Sequence, residues 1–225
     1  MWILPSLNRF DQLQALLARI AETGGAQPGL VILGPYQHGD VGRLVLPPGW
    51  LVSTQHQADT CLTEVFNRFF RDHPDLPWYG MISDDHWPVT QGWAAALERA
   101  AARGIGSCND GWQAPVRMHS PTIWRGDVLR ACGWWNPPML KHSYADDWWE
   151  YAGRALGLWT CDMATLVEHR HHNRAGAAAD ETYRRQEQWM AEDRAAFSTW
   201  TRTNDFQDTL ARLRALKLPA PRDAA

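Results

Sequence analysis

The chain lacks a long apolar run: no stretch approaches the roughly 18 residues of a membrane-spanning helix. Met1-Trp2-Ile3 is not followed by the basic, apolar and small-residue segments of a secretory leader, so the expectation is a cytoplasmic protein with no membrane partner. Cysteine is scarce as well. Cys61, Cys108, Cys132 and Cys161 are widely spaced and form no CxxC, which argues against a zinc knuckle or dithiol redox centre and for free thiols in a reducing compartment. Positive charge is not in excess either, with 22 Lys and Arg against 25 Asp and Glu. The chain therefore lacks the basic field of an unassisted nucleic-acid binder, although local basic patches are compatible with it. What is present is enough apolar material, 45% of 225 residues, to bury one sizeable core.

Short apolar runs alternate with helical patterns. Trp2-Ile3-Leu4 reads as a first strand, and Phe10, Leu13, Leu16, Leu17 and Ile20 recur at helical spacing behind Ser6 and Asn8, either of which could cap the turn. Leu30 to Leu33 and Trp50 to Ser53 read as the second and third strands. A helix over Asp59 to Arg71 buries Leu62, Val65, Phe66, Phe69 and Phe70, and a fourth strand, Tyr79-Gly80-Met81-Ile82, is expected to end at Asp84. This β-α-β-β-α-β order predicts an α/β fold with a mainly parallel central sheet and helices on both faces.

Three constellations stand out against that frame. In open α/β sheets ligands sit beyond the carboxyl ends of the strands, where Asp84-Asp85-His86 falls. Adjacent carboxylates repel and need a divalent cation or hydrogen-bond donors to offset that; the bland alternative is a solvated turn capping the next helix. Asp146 and Asp147 precede a helix that carries Trp148 and stops at Gly157. One acid can cap while the other accepts a proton, or both can cap. In Thr165 to His171, an extended chain would put His169 and His171 on one face and Glu168 and Arg170 on the other. The histidines could then complete a metal site or bind phosphate, and Arg170 and Arg174 could neutralise a diphosphate; a ligand-free polar loop is the alternative.

Taken in order, ILPSLNR, MISDDHWPVTQGW, PTIWRGDVLRACGWWNPP, HSYADDWW and VEHRHHNRAGAAADETY resemble the GT-A glycosyltransferases of the family-2-like type, and most of all the short bacteriophage-encoded versions. The resemblance spans residues 1 to 200 and implies one catalytic domain there, followed by a helical extension and frayed tail over 201–225. It implies that Ser6, Asn8, Arg9, Asp84, Asp85, Arg170 and Arg174 bind the nucleotide sugar. Asp85, His86, His169 and His171 would supply the ligands of a divalent cation, Mn²⁺ or Mg²⁺. Asp146 is the favoured catalytic base with Asp147 as the alternative, and Asp180 and Tyr183 match an outer segment that folds over the donor. One departure is LGPYQHGD after the second strand, where many relatives place an acid that contacts the base.

The implied activity is inverting transfer from a nucleotide sugar, a UDP-sugar by resemblance, to an acceptor hydroxyl. The phage relatives imply a 5-hydroxymethylpyrimidine in DNA as acceptor, in host cytoplasm, with Arg117, Arg125, Arg130, Lys141, Arg170 and Arg174 as phosphate contacts. Trp112, Trp134, Trp135, Trp148 and Trp149 could stack on a base or a sugar, or belong to the core. A polysaccharide or lipid-linked acceptor, a metal-dependent hydrolase or nuclease, and a silent sugar- or nucleotide-binding module are the competing readings. The sequence leaves monomer and homodimer both open.

Overall fold

The computed structural model describes residues 1–24, 28–34, 38–54, 61–118, 121–171 and 181–217. Its strands are β1 (Trp2–Ser6), β2 (Gly29–Leu33), β3 (Trp50–Thr54), β4 (Trp78–Met81), β5 (His86–Pro88), β6 (Ile105–Asn109), β7 (Thr122–Arg125) and β8 (Trp159–His169). Its α-helices are α1 (Phe10–Glu22), α2 (Leu62–Asp72), α3 (Trp93–Ala100), α4 (Gly126–Cys132), α5 (Ala145–Leu156), α6 (Glu181–Trp200) and α7 (Asn204–Arg214). The strands form one sheet in the order β3-β2-β1-β4-β7-β6-β8-β5.

The first half is the expected parallel array, β3-β2-β1-β4. The second half is mixed. β7 runs against β4 and β6, β8 returns parallel to β6, and β5 runs against β8. The reversal at β7 brings its first residue, Thr122, to the same sheet end as the carboxyl ends of β1, β4, β6 and β8, and Ser6, Met81, Thr122 and His169 line one cleft there.

Alternation along β1 shows why both faces are covered. Trp2 and Leu4 pack into a cluster with Leu13, Leu16 and Leu17 of α1 and Trp93 and Leu97 of α3. Ile3 points the other way, into a cluster with Phe66 and Phe69 of α2, Leu129 of α4 and Trp148 and Trp149 of α5. That second cluster also takes Trp200 of α6 and Phe206, Leu210 and Leu213 of α7, so residues 204–214, expected as an extension, are packed into the same core as the catalytic region. Gly80 is required by packing: a Cβ there would lie 2.6 Å from the Trp2 ring. The four cysteines are free thiols, Cys108 and Cys132 buried. Among the described residues no helix is long and apolar enough to cross a membrane.

Candidate active site

The fourth strand stops at Met81, three residues before the expected end. Ile82 N–H still donates to the Ile3 carbonyl at 3.1 Å, but His86 N–H closes a turn on the Ser83 carbonyl at 3.1 Å. The chain reverses there into β5. Asp84 and Asp85 therefore sit in a tight turn, and the capping alternative fails because β5 intervenes and Gly92 occupies the N-cap of α3.

Each acid of this turn has its own partners. Asp84 accepts from Ser6 Oγ at 2.8 Å and from Arg9 at 2.8 Å; the N-cap position of α1 is Arg9, so neither Ser6 nor Asn8 caps the helix as expected. Burial pushes the Asp84 carboxyl up to about 6, while Arg9 and Ser6 restrain the rise. Asp85 is also buried, which alone would raise it, but the imidazoles of His169 and His86 outweigh burial and hold it well below the usual carboxylate range. His169 Nε2 lies 3.3 Å and His86 Nδ1 3.2 Å from Asp85 oxygens, and the Tyr183 hydroxyl donates to Asp85 Oδ2 at 2.9 Å.

The two histidines meet because they are directly opposed across the antiparallel β5–β8 pair, where facing side chains are nearest neighbours. Their rings stack with centroids 4.4 Å apart. Arg170 N–H donating to the Asp85 carbonyl at 2.8 Å and His169 N–H donating to the Asp110 carbonyl at 2.9 Å fix the end of β8. Asp85, His86 and His169 present ligand atoms within 4.8 Å of one another, a donor set that can hold a divalent ion. His171 stands beside this group, 5.3 Å ring to ring from His169, edge-on to Tyr183 at 4.8 Å and stacked on Trp112 at 5.6 Å.

The second acid pair lies across the same cleft, which encloses about 650 Å³. Asp146 and Asp147 are both inside the first turn of α5, and the N-cap is Tyr144 at φ 67°, so the expectation that one Asp caps the helix is corrected. Arg117 pairs with Asp147 at 2.6 Å and with Glu150 at 3.2 Å. Asp146 is pushed up to about 6 by burial and then by the Asp147 charge, against the pull of nearby amides and Arg117. A carboxyl there is mostly ionised at neutral pH yet basic enough to take a proton.

One residue of this side carried no sequence signal. Asp193 of α6 is fully buried, and its two oxygens accept the consecutive N–H groups of Lys141 (2.8 Å), His142 (2.9 Å) and Ser143 (2.7 Å). Arg194 donates to the Tyr144 hydroxyl at 2.8 Å, and Phe197 stacks on the Tyr144 ring. Helix α6 thus holds the left-handed turn that aims Asp146, and through Tyr183 it touches Asp85 as well. His142 lines the cleft, and its burial lowers its pKa to about 4, leaving the imidazole neutral.

Of the residues expected to bind the nucleotide sugar, Ser6, Arg9, Asp84 and Asp85 line the cleft. Asn8 does not: it is exposed, at φ 57°. Arg170 is likewise exposed, paired with Glu168 at 3.1 Å and lying over the Trp87 ring at 4.2 Å. Salt bridging along its own strand end has drawn it away. Arg174 and Asp180 lie outside the described residues. Of the cations expected to hold DNA phosphates, the five among the described residues each have partners within the chain. Arg117 pairs with acids of α5, Arg125 with Asp127, Lys141 with Glu192 and Arg170 with Glu168, and Arg130 donates to the Pro74 and Leu76 carbonyls. Of the five tryptophans, Trp135, Trp148 and Trp149 are core and Trp134 packs against them.

No family model and no curated protein sequence matches the chain. Solved structures do. The mannosyltransferase PcManGT of Pyrobaculum calidifontis, in complex with GDP-Man and Mn²⁺, superposes with a TM-score of 0.62 over 95% of this chain and 68% of its own, at 13% identity. The fold is the GT-A fold. S. aureus TarS gives a TM-score of 0.51 at 14% identity over 90% of this chain, which spans 44% of the TarS structure. At this level of identity the agreement is one of architecture. The Asp84-Asp85 turn and the Asp146-Asp147 helix start line one and the same cleft.

Proposed function

We propose that the chain is an inverting, cation-dependent glycosyltransferase that moves a sugar from a nucleotide diphosphate sugar to an acceptor hydroxyl. The observation that carries this reading is the sharing of one cleft by a buried carboxylate–diimidazole group and, opposite it, a helix-start carboxyl tuned to about 6. Asp85, His86 and His169 would hold the cation, and two imidazoles suit Mn²⁺ better than Mg²⁺, which favours oxygen shells. When bound, the ion supplies positive charge that neutralises a departing diphosphate.

The rest is done by the chain's own groups. Asp84, locked by Ser6 and Arg9, offers acceptor oxygens to ribose hydroxyls at the end of β1. Asp146, which lines the same cleft as Asp85, takes the proton of the attacking hydroxyl. Asp147, paired with Arg117, keeps a negative charge beside Asp146 and so raises its basicity. The resemblance suggests UDP and the superposed mannosyltransferase was solved with GDP-Man, so both nucleotides belong in the test.

That test is a thermal melt with UDP or GDP, with Mn²⁺ and then with EDTA. Nucleotide at about a hundredfold over its dissociation constant should add about 2.7 kcal/mol, a rise of several degrees for this length. A rise that vanishes with EDTA is the expected result. No rise with any nucleotide, together with cleavage of DNA or nucleotide that needs no sugar, would move the hydrolase reading to the front.

A further inference from the structure

We infer that Trp112 forms the platform of an acceptor subsite for an uncharged pyranose; the inference rests on the glycosyltransferase reading above. Trp112 lines the cleft and is 41% exposed, whereas Trp135, Trp148 and Trp149 are at most 1% exposed. One side of its indole is backed by His171, stacked at 5.6 Å, and its edge meets His169 at 5.8 Å. The platform is therefore anchored to the histidines beside the proposed cation and shares its cleft with the base.

The segment that carries it is stiff. Asp110 Oδ1 accepts from the N–H groups of Trp112, Gln113 and Ala114, each at 2.9 Å. Arg154 donates to the Pro115 and Val116 carbonyls at 3.0 and 2.7 Å, and Glu150 accepts from Met118 N–H at 2.9 Å. A ring held this way binds without a large ordering cost.

Charge decides which flat-faced ligand fits. The arginines of the described cleft are Arg9 and Arg117, and each is already paired with an acid, Asp84 and Asp147. A phosphodiester would bring more negative charge into the cleft of Asp146 and Asp147, with no unengaged arginine among its described residues to meet it. A neutral pyranose instead lays its C–H face on the indole and offers hydroxyls to the carboxylates of the same cleft.

The experiment is saturation-transfer NMR on the wild type, Trp112→Phe and Trp112→Ala. The probes are a panel of methyl pyranosides and, separately, a duplex containing 5-hydroxymethylcytosine. Each sample is also melted with UDP or GDP and Mn²⁺. Transfer to at least one glycoside should fall about five- to tenfold in Trp112→Ala and persist in Trp112→Phe, as the loss of one aromatic contact implies. The nucleotide-dependent melting rise should be equal in all three proteins, showing that the fold is intact. Glycoside transfer that is absent, or indifferent to Trp112→Ala, overturns the subsite. So does Trp112-dependent binding of the duplex, which would assign the ring to a flipped base. Failure of the nucleotide rise in the wild type overturns the glycosyltransferase reading instead, and the two failures are scored separately.

Discussion

The molecule contains two Asp-Asp pairs, and they have opposite chemistry. In each, an arginine engages one member: Arg9 takes Asp84, and Arg117 takes Asp147. The other member takes its character from what surrounds it. Asp85 has two imidazoles and a phenol around it and stays anionic far into acid, as a cation ligand must. Asp146 has burial and a like charge, so it binds a proton near neutrality, as a base must. The same dipeptide thus carries a carboxylate of lowered pKa in a strand-end turn and a carboxyl of raised pKa at a helix start, because partners and not sequence spacing set the pKa.

The largest effect that would break the comparison is at Asp85. Asp85→Asn should remove the Mn²⁺-dependent melting rise and lower transfer at least a hundredfold, since a charged ligand at the ion is lost; a preserved rise would deny Asp85 its role. Next comes Asp146→Asn. Transfer should drop by about 10² to 10⁴ with the nucleotide rise unchanged, and loss of both together would sink the division of labour between the pairs. The same variant should be more stable at pH 7.5. A carboxyl raised in the folded state favours folding only below its unfolded pKa and loses that contribution as pH rises through about 6. Removing the charge should therefore add about 1 kcal/mol near neutrality, after allowance for partial exposure, and nothing below about pH 4.

A positional test follows. Asp193→Asn keeps one acceptor oxygen and loses at least one of the three N–H contacts. It should lower kcat about tenfold through displacement of Asp146 while the nucleotide rise stays within error; a parallel fall in nucleotide binding would make Asp193 a general stability residue. The smallest effect concerns pH. Activity should decline on the acid side near the Asp146 value of about 6. Arg117→Gln should move that limb upward by about half a unit, because the guanidinium lowers the Asp146 pKa. A downward movement would place the base elsewhere.

Much of the scaffold was legible in advance. The strands at 2–6, 29–33 and 50–54 and the helix at 10–22 announce themselves by apolar period, Asp84 and Asp85 by their position after a strand, and Asp146 and Asp147 by their position at a helix start. The mixed second half was not legible. Nothing local in Thr122–Arg125 says that it runs antiparallel between β4 and β6. Arg170, by contrast, pairs with Glu168, two residues away and on the same face of an extended chain, a contact that is local in sequence.

What the sequence by itself determined is the set of local elements and the two acidic dipeptides placed at their ends, because hydrophobic period and turn residues act over a few positions. The tertiary structure alone decided which acid is held anionic and which binds a proton near neutrality. Arg9 reaches Asp84 across 75 residues and Tyr183 reaches Asp85 across 98. A carboxylate's proton affinity depends on burial and on charges within about 4–6 Å, and such neighbours are brought together only when the sheet closes.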